Sequence, residues 1–449
     1  MEDQPPFEVK QESLAEEPTI TTDYWYGLVV DGQKERREEL SEKMLESMKA
    51  EKTNMVSAIM ERQCFLKCAH CLYQKDTGTS KEFSKDANLT EVIANIVRQL
   101  PNEQQDLLHR KPMFLHEGRT IRKWHLDIFD EIRKQRPDVS IGLIDNGTYV
   151  KYIPDFNEKG LRLDWLDVSI DGTESSHNLQ RDPEMKKAYE IAMEGLRHAR
   201  DVVKSNESGG KVSSLMTLTK LNFADIFEAA DLLFKPNPDK SALDMKTGEQ
   251  LNYIDEFHIT TMSPELPENF PIEISVEDMK VAWEQIKKLY ASRADKGESP
   301  VFFKIYRHQD LEKLAQAVGE KKFWTAITDE TEGSDEAVDR NVGYIKFYID
   351  HVPVAYYPIS TFPIETVLID ADGSYRSAYS QQYSLEELRS GKSKGGDDLT
   401  KYTWEKLTPN SSYPDAFKSG VENWWKGFGN QILDEEISTM ERIKEKANK

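Results

Sequence analysis

The residues best suited to chemistry in this chain are its three cysteines. Cys64, Cys68 and Cys71 are all of the cysteines among 449 residues, and their spacing is C-x3-C-x2-C. Thiolates this close in sequence are suited to binding a metal ion or an iron–sulfur cluster. Because a closed [4Fe–4S] cluster takes four thiolates, three would leave one iron open to a small molecule. The spacing therefore predicts a metal or cluster site with one free coordination position.

Two other interpretations of the cysteines remain open from the residues alone. His70 can serve as the fourth ligand of a structural zinc ion, although it is the immediate neighbour of Cys71 and most structural zinc sites use two separated ligand pairs. The cysteines can also pack as small apolar side chains. A disulfide framework is disfavoured, because the number of cysteines is odd and they lie too close in sequence to staple a fold.

Alternating strand and helix patterns extend from about residue 50 to 265. Short apolar runs predict six strands at 55–60, 112–116, 139–144, 163–170, 212–218 and 254–262. Amphipathic patterns between them predict helices at 89–100, 124–135, 185–203 and 224–234. This alternation is typical of a parallel sheet, so we expect an α/β fold with a partial (βα)6 TIM-like barrel. Functional residues in such barrels follow the carboxyl ends of the strands.

The two flanks of this region have different patterns. Residues 1–20 are acidic and contain proline, which predicts a disordered lead. Leu40, Met44 and Met48 then predict an amphipathic helix that ends before Thr53. Beyond residue 265, strand-like segments mix with charged helices, which predicts a C-terminal α+β extension. The expected domains are 1–50 (lead and helix), 51–265 (barrel) and 266–449 (C-terminal lobe over the substrate).

The charge of the chain limits its partners. Eighty acidic residues against 59 basic ones give a formal net charge of −21. Such a surface repels phosphate backbones and anionic membranes, so neither nucleic acid nor a membrane is an expected partner. The sequence contains no run of about 18 apolar residues, and its acidic beginning differs from a signal peptide. We therefore expect a cytoplasmic location.

The cysteine motif, which follows the first strand, resembles the signature of the radical S-adenosylmethionine (radical SAM) enzymes, with His70 before the last cysteine. The resemblance implies that Cys64, Cys68 and Cys71 hold one [4Fe–4S] cluster and that S-adenosylmethionine chelates its open iron. It also implies a flavodoxin or ferredoxin type electron donor and a 5′-deoxyadenosyl radical that abstracts a substrate hydrogen. His70 is expected close to this cofactor.

Segments after the second and third strands resemble further motifs of the family. Glu117 in "MFLHEGRT" matches the glutamate of a Gly-Gly-Glu-Pro motif that contacts the amino group of the cofactor, but His116 and Gly118 replace the neighbouring glycine and proline. A solvated loop carboxylate is the alternative for Glu117. Asn146 in "GLIDNGTYV" matches a turn near the bound nucleoside, where Asp145 takes the place of the usual threonine. Asn-Gly is also a common turn dipeptide on its own account.

The segment "LDWLDVSIDGTESSHNLQR" after the fourth strand carries the strongest resemblance outside the cysteines. It implies that Ser169 and Asp171 form hydrogen bonds to the cofactor and that Arg181 holds its methionyl carboxylate. A bidentate guanidinium suits a carboxylate, while a structural ion pair is the competing role for Arg181. His177 is expected at a helix entry or behind the site and not as a catalyst.

After the fifth strand, Thr219 and Asn222 fit a T-x-x-N pattern of the family. Asn222 precedes the predicted helix at 224–234, and asparagine is a favoured N-cap residue. We expect capping to be the main role of Asn222.

The segment "VLIDADGSYRSAY" resembles the start of the SPASM or Twitch extensions of the family. Asp370, Asp372 and Gly373 match, but Ser377 or Ala378 stands where a cluster cysteine is expected. We therefore expect a SPASM-like region without an auxiliary cluster. With all three thiols assigned to one cluster, no cysteine remains to donate a hydrogen atom to a substrate radical.

Taken together, the sequence and its resemblance predict a radical SAM enzyme that modifies a peptide or a small biosynthetic metabolite. A rearrangement, an elimination or another redox-neutral step is favoured, and the sequence does not identify a catalytic residue. The alternative is a non-catalytic iron–sulfur or cofactor-binding protein on the same barrel.

Overall fold

The fold is described from a computed structural model. It describes residues 21–50, 54–60, 64–71, 87–102, 111–117, 121–184, 186–205, 208–244, 246–262, 271–293, 300–328, 339–341, 343–364, 367–377 and 383–449. The predicted lead at residues 1–20 lies outside these ranges, as do Gly118 and Ala378.

The described strands form a single sheet. They are β1 (Met55–Ala58), β2 (Met113–His116), β3 (Ser140–Asp145), β4 (Trp165–Ser169), β5 (Lys211–Leu218), β6 (Glu256–Thr261), β7 (Val301–Ile305), β8 (Asp339–Asn341), β9 (Tyr344–Ile349), β10 (Val352–Tyr356), β11 (Val367–Ile369), β12 (Ser374–Ser377) and β13 (Thr403–Lys406). Their spatial order is β13-β12-β11-β1-β2-β3-β4-β5-β6-β7-β10-β9-β8. All six predicted strands are present as β1 to β6.

Strands β1 to β7 are parallel and lie side by side in chain order. A sheet wound in one direction has no point at which the strand order reverses, which distinguishes it from a doubly wound fold. The α/β class is confirmed, and the order is that expected for a partial barrel. The carboxyl ends of all these strands lie along the same edge, which we call the carboxyl edge.

Helices connect the strands and cover the sheet. Within the described ranges they are α1 (Thr21–Val29), α2 (Arg37–Ala50), α3 (Ala87–Arg98), α4 (His125–Gln135), α5 (Ile153–Glu158), α6 (Glu174–Arg181), α7 (Ala188–Arg197), α8 (Ile226–Leu233), α9 (Val276–Arg293), α10 (His308–Val318), α11 (Glu320–Thr328), α12 (Leu385–Ser390), α13 (Tyr413–Trp424) and α14 (Asn430–Ala447). In α2 the predicted apolar stripe of Leu40, Met44 and Met48 is buried. None of the described helices is long and apolar enough to cross a bilayer.

The C-terminal region extends the sheet at both of its edges. On one side β10 pairs in parallel with β7 and continues into the antiparallel β9 and β8. On the other side β11 pairs in parallel with β1 and continues into the antiparallel β12 and β13. The predicted α+β extension is therefore part of the same sheet as the barrel strands. The domain division at residue 265 stays a prediction.

Candidate functional site

The three cysteines lie on the segment that follows β1 at the carboxyl edge. Beyond the end of β1, the Ile59 amide donates to the Ile369 carbonyl at 2.9 Å. The stretch 64–71, which we call the thiol loop, then rests on α6, where the Ala69 amide donates to the Gln180 carbonyl at 2.8 Å. The loop is thus held beside the ends of β1 and β4, the place at which a barrel carries functional groups.

The thiols are packed together but are not equally buried. Cys68 is buried against Leu66 and Ala188, and the partly buried Cys64 and Cys71 pack at the margin of this small cluster. Burial raises the pKa of the Cys68 thiol, and the nearby Arg181 guanidinium opposes that rise. A buried thiol of this kind deprotonates when it binds a metal, which supplies the missing positive charge.

Asn146 faces the thiol loop from the end of β3. Its Nδ2 donates to the Cys64 sulfur at 3.6 Å. Its Oδ1 is buried, in a residue only 8% exposed, and has no hydrogen-bond partner among the described residues. A buried carbonyl oxygen without a donor is costly, so a donor is expected there when the site is complete.

Gly147 fixes the position of Asn146. Its φ of +94° is in the left-handed region, and a Cβ at this position would clash with the carbonyl oxygen of Ile191 in α7. The Asn-Gly pair therefore makes a turn, as its composition indicates, and the same turn aims Asn146 at Cys64.

Asp171 and Arg181 form a buried ion pair behind the thiol loop. Arg181 Nε donates to Asp171 Oδ2 at 2.5 Å, and the amide of Thr217 donates to Asp171 Oδ1 at 2.8 Å. Burial favours the neutral acid, but Arg181 and the neighbouring His70 and His177 hold the pKa of Asp171 below its ordinary value. The structural ion pair weighed for Arg181 is thus present, and binding of a cofactor carboxylate by this residue stays a prediction.

His70 points into the protein from the thiol loop. Its Nδ1 lies 3.0 Å from Gln180 Nε2, and its Nε2 lies 3.7 Å from Asp171 Oδ2. Burial lowers its pKa to about 4. The two ring nitrogens are therefore directed at Gln180 in α6 and at Asp171, two residues beyond β4, which disfavours His70 as a zinc ligand.

Gln180 is a residue of this site that the sequence reasoning missed. Besides its contact with His70, its Nε2 donates to the Thr217 carbonyl at 3.1 Å, and its Oε1 accepts from Thr219 Oγ1 at 2.6 Å. It thereby connects the thiol loop to the end of β5. A glutamine that precedes Arg181 on a short helix carries no signal of such a role in the sequence.

The expectation that Asn222 caps a helix is wrong. Helix α8 begins at Ile226 with Asp225 as its N-cap residue. Asn222 instead donates through Nδ2 to the carbonyls of Asp171 at 3.2 Å and Thr217 at 2.9 Å. It thereby joins the ends of β4 and β5, since one amide group donates to a carbonyl of each segment.

The remaining predicted residues lie along the same edge. Glu117 follows β2 and is partly buried. Its backbone amide donates to the Ala58 carbonyl at 3.0 Å. Ser169 is buried at the end of β4. His177 lies in α6 and accepts a hydrogen bond from the Asp171 amide at 2.9 Å, which agrees with its expected place behind the site.

His116 does not face this site. Its Nε2 lies 3.2 Å from Nδ1 of His125 in α4, and burial lowers its pKa to about 4. The contact with His125 in α4 shows that His116 points to the helical layer.

A group of ionisable side chains lies on the face of the sheet that carries Asp171. Asp167 is 1% exposed, and within the described part of the chain its buried Oδ1 has no hydrogen-bond partner. His258 Nδ1 lies 3.8 Å from Asp167 Oδ2 and 3.5 Å from Lys304 Nζ. We call Asp167, His258 and Lys304 the inner polar group; the sequence reasoning did not identify it.

The donors of the thiol loop fit a thiolate-bound cluster. Three thiols lie on one loop, a guanidinium lies near them, and the buried amide oxygen of Asn146 beside Cys64 has no partner in the ranges that the structure describes. In the described ranges no three His, Cys, Asp or Glu side chains are grouped as ligands of a single metal ion. Each thiolate of an iron–sulfur cluster binds a different iron atom, so this observation concerns single ions.

Comparisons with known proteins give structural similarities at low sequence identity. No protein-family model matches the sequence, and a search of curated proteins gives no match. The chain is similar to SuiB of Streptococcus suis bound to S-adenosylmethionine, with 13% identity over 76% of this chain and 64% of that one and a TM-score of 0.44. SuiB bound to its precursor peptide SuiA gives 12% identity, 76% and 63% coverage and a TM-score of 0.44.

Coproporphyrinogen III oxidase (HemN) from Escherichia coli, described as a radical SAM enzyme, is also similar. It is 13% identical over 67% of this chain and 69% of that one, with a TM-score of 0.35. The chain spans less than two thirds of the length of SuiB in the two SuiB structures given above. Similarity at this level does not identify a cofactor, a substrate or a reaction for this chain.

Proposed function

We propose that this protein is a cytoplasmic radical SAM enzyme whose Cys64, Cys68 and Cys71 hold one [4Fe–4S] cluster with S-adenosylmethionine at its open iron. The observation that carries the proposal is the thiol loop, which brings all three thiols of the chain together at the carboxyl edge of a singly wound parallel sheet. When bound, the cluster and S-adenosylmethionine would supply reductive cleavage of the cofactor and hydrogen abstraction from a substrate.

The protein side chains would stabilise and orient this centre. Arg181 places positive charge close to Cys68 and Cys71, which favours their thiolates. Asn146 donates to the Cys64 sulfur, and hydrogen bonds to ligand sulfurs tune such centres. The free Oδ1 of Asn146 can accept from a cofactor hydroxyl or amine, which supports its predicted contact.

The predicted cofactor residues divide into two kinds. Both carboxylate oxygens of Asp171 are already engaged, by Arg181 and by the Thr217 amide. We therefore propose that Asp171 positions Arg181 and His70 and does not contact the cofactor. Glu117 and Asn146 directly follow β2 and β3, and Ser169 is the last residue of β4. These three residues are proposed to contact the cofactor directly, and Arg181 is proposed to hold its carboxylate.

The substrate is proposed to bind over the inner polar group. Asp167 has a buried oxygen that lacks a donor, and His258 and Lys304 lie on the two strands beyond β5. These groups suit a polar substrate, such as a hydroxyl- or amine-bearing metabolite or a polar peptide side chain. The chain has no cysteine beyond Cys64, Cys68 and Cys71 to bind an auxiliary cluster as an electron outlet, which disfavours oxidation, and none to donate a hydrogen atom, which disfavours epimerisation. A redox-neutral outcome such as a rearrangement or elimination is therefore favoured.

Anaerobic reconstitution tests the proposal. The protein would be loaded with iron and sulfide and its metal content measured, followed by EPR of the reduced state with and without S-adenosylmethionine. We expect about four irons per chain and a spectrum that changes with the cofactor. Zinc in place of iron, or a cluster spectrum indifferent to the cofactor, would contradict the proposal.

Two variants of the same loop sharpen this test. Cys68→Ala should remove the cluster, because one of three ligands is lost, whereas Phe65→Ser should retain it, because Phe65 is 40% exposed. Formation of 5′-deoxyadenosine under strong reduction then separates an enzyme from a non-catalytic binding protein. A cluster without any such cleavage would favour the binding protein.

A further inference from the structure

Arg376 in β12 is a buried arginine that uses only part of its hydrogen-bonding capacity. It is 1% exposed. Its Nη2 donates to Asp372 Oδ2 at 2.9 Å and to Ser374 Oγ at 3.1 Å. Its Nε and Nη1 have no hydrogen-bond partner in the described ranges, where no other side chain has two such buried atoms. Because buried donors without acceptors are costly, an acceptor is expected beside these nitrogens.

Two hydroxyls in the same row of the sheet are also without partners among the residues described. Arg376 pairs in register with Leu368 of β11 and with Thr403 of β13. Leu368 in turn pairs with Ser57 of β1. Ser57 Oγ and Thr403 Oγ1 are buried and have no hydrogen-bond partner in that part of the chain. Three polar side chains of one row, here called the donor row, can therefore serve a ligand: Ser57, Arg376 and Thr403.

The donor row points away from the helices that cover the sheet. Val56 and Ala58, on either side of Ser57, belong to the core between the sheet and its helices, as does Tyr375. Because side chains alternate along a strand, Ser57 and Arg376 point to the opposite face. The register of β12 and β13 also shifts between Tyr375 and Arg376, and a bulge of this kind redirects a side chain.

The same face carries the inner polar group. Register pairs connect Ser57 with Trp165 of β4 through β2 and β3. Asp167 lies two residues beyond Trp165 in β4 and is therefore on the face of Ser57. Since β1 also leads into the thiol loop, a ligand of the donor row lies on the face of the sheet that the proposed substrate uses.

The charges around Arg376 are already balanced. Asp372 Oδ2 accepts from Arg376 and also from Arg389 Nε at 3.4 Å, and Asp370 Oδ2 lies 3.7 Å from Arg376 Nε. Two guanidinium groups thus face two carboxylates. A further buried anion would leave a net negative charge, whereas a carbonyl oxygen accepts hydrogen bonds without adding charge. Arg389 is 52% exposed, so this network of charges reaches the surface.

We infer that the donor row binds a neutral amide group of a ligand, with its carbonyl oxygen beside Arg376. Nη1 of Arg376 donates to this oxygen, and the hydroxyls of Ser57 and Thr403 can donate to the oxygen or accept from the amide N–H. The inference rests on the proposed function only in taking this ligand to be the substrate.

The neutral compound N-acetylglycinamide is the probe that tests the inference. Its dissociation constant would be measured by saturation-transfer NMR on the full-length chain, as isolated and after reconstitution. We expect Arg376→Met to weaken binding about tenfold, because a hydrogen bond from a charged group is lost, and Ser57→Ala about fivefold. N-acetylglycine, the carboxylate analogue of the probe, should bind wild type more weakly than the amide does.

Ser214→Ala and Arg200→Met are the matched controls. Ser214 resembles Ser57 in being 0% exposed with an Oγ that has no partner among the described residues, but it shares its face of β5 with the core residue Val212. The side chain of Arg200 is 5% exposed and pairs with Asp255 at 2.7 Å. Both controls should change the dissociation constant less than about twofold.

Stability without a ligand gives an independent measurement. Ser57→Ala should keep or raise the midpoint of chemical denaturation, because its hydroxyl makes no hydrogen bond to a described residue. A lowered midpoint would mean that the hydroxyl serves the fold and would overturn its assignment to a ligand. If Arg376→Met does not fold, Arg376→Lys and Ser57→Ala provide the binding test.

Three results would overturn the inference. They are the absence of a transfer signal from N-acetylglycinamide, tighter binding of N-acetylglycine than of the amide, and donor-row variants that bind the amide as well as the controls do. Iron content is measured on the reconstituted samples. A chain that binds the amide through Arg376 but assembles no cluster would contradict the proposed function and support the amide site.

Discussion

Two buried carboxylates in different regions of the molecule are held in opposite ways. Asp171, at the carboxyl edge, is paired with a guanidinium, and its pKa lies below the ordinary value. Glu436, in α14, is fully buried among neutral donors: the Trp25 indole, the Tyr356 hydroxyl, and the hydroxyl and amide of Ser360. Burial raises the pKa of Glu436 to about 7, although the hydrogen bonds from Ser360 and Trp25 oppose the rise.

The two carboxylates therefore differ in their charge at neutral pH. Asp171 keeps a fixed charge through the neutral pH range, so it holds Arg181 and the thiol loop in one electrostatic arrangement. Glu436 joins α14 to α1, to β10 and to the segment after β10, and it changes its charge near neutral pH. The pairing of Asp171 with Arg181 therefore keeps the charges of the site constant at neutral pH, whereas the contacts of α14 with α1 and β10 depend on pH.

Removing the Arg181 cation from its pair with Asp171 should have the largest effect on the free energy of unfolding. Arg181→Met leaves Asp171 buried without its partner, and breaking a buried pair in this way costs about 3 to 5 kcal/mol of unfolding free energy. Chemical denaturation would measure the loss. The double variant Arg181→Met with Asp171→Asn should recover part of it, because no buried charge remains.

Arg442→Met is the control for that experiment. Arg442 is 50% exposed and pairs with Glu312 at 2.8 Å, so its loss should cost less than about 1 kcal/mol. A loss from Arg181→Met no greater than that of the control would mean that the buried pair does not hold the site together.

Changing the second carboxylate should alter the dependence of stability on pH. The folded-state pKa of Glu436 is about 7 and its ordinary value is 4.5, so its contribution to stability is complete below about pH 4.5 and is lost as the pH rises through about 7. The fall is on the order of 3 kcal/mol. Glu436→Gln should remove this fall, as denaturation at pH 5 and pH 8 would show.

Glu445→Gln, at an exposed position of the same helix, should keep the pH dependence of wild type. If Glu436→Gln still loses as much stability between pH 5 and pH 8 as wild type does, the pH dependence comes from other groups.

The smallest effect is expected from weakening the neutral donors of Glu436. Ser360→Ala removes a hydrogen bond of 2.6 Å to Glu436 Oε2, which should cost about 1 kcal/mol at pH 8. It should also raise the pKa of Glu436 further, so the loss of stability with rising pH begins at the same pH but continues to a higher pH and becomes larger. Ser438→Ala, which removes an exposed hydroxyl bonded within α14, should change neither quantity.

Local patterns were sufficient to predict the centre of the fold. The apolar runs of β1 to β6 and the amphipathic stripes of α3, α4, α7 and α8 each lie within one short segment, and the structure contains all of them. Short polar helices were missed, among them α6, which is mostly buried but whose sequence "ESSHNLQR" has no apolar stripe. Its burial depends on contacts with the thiol loop and β5.

Roles that depend on distant partners were not predictable. Asn222 has the position of an N-cap in sequence, and only the meeting of β4 with β5 shows which carbonyls its amide serves. Pairing of β11 with β1 joins segments more than 300 residues apart, and no periodicity records such a pairing. The cluster ligands and cofactor residues carried over from the family resemblance stay predictions, although the structure places them along one edge.

The pairing of β1 with β11 has a consequence for how the protein matures. β1 lies next to the thiol loop, and it gains its second neighbour only when residues 367–369 have been synthesised. Until then the strand that precedes the thiol loop has an open edge, and unpaired edges can pair with wrong partners. The strand that leads into all three cysteines therefore completes its pairing only late in synthesis, when β11 has emerged.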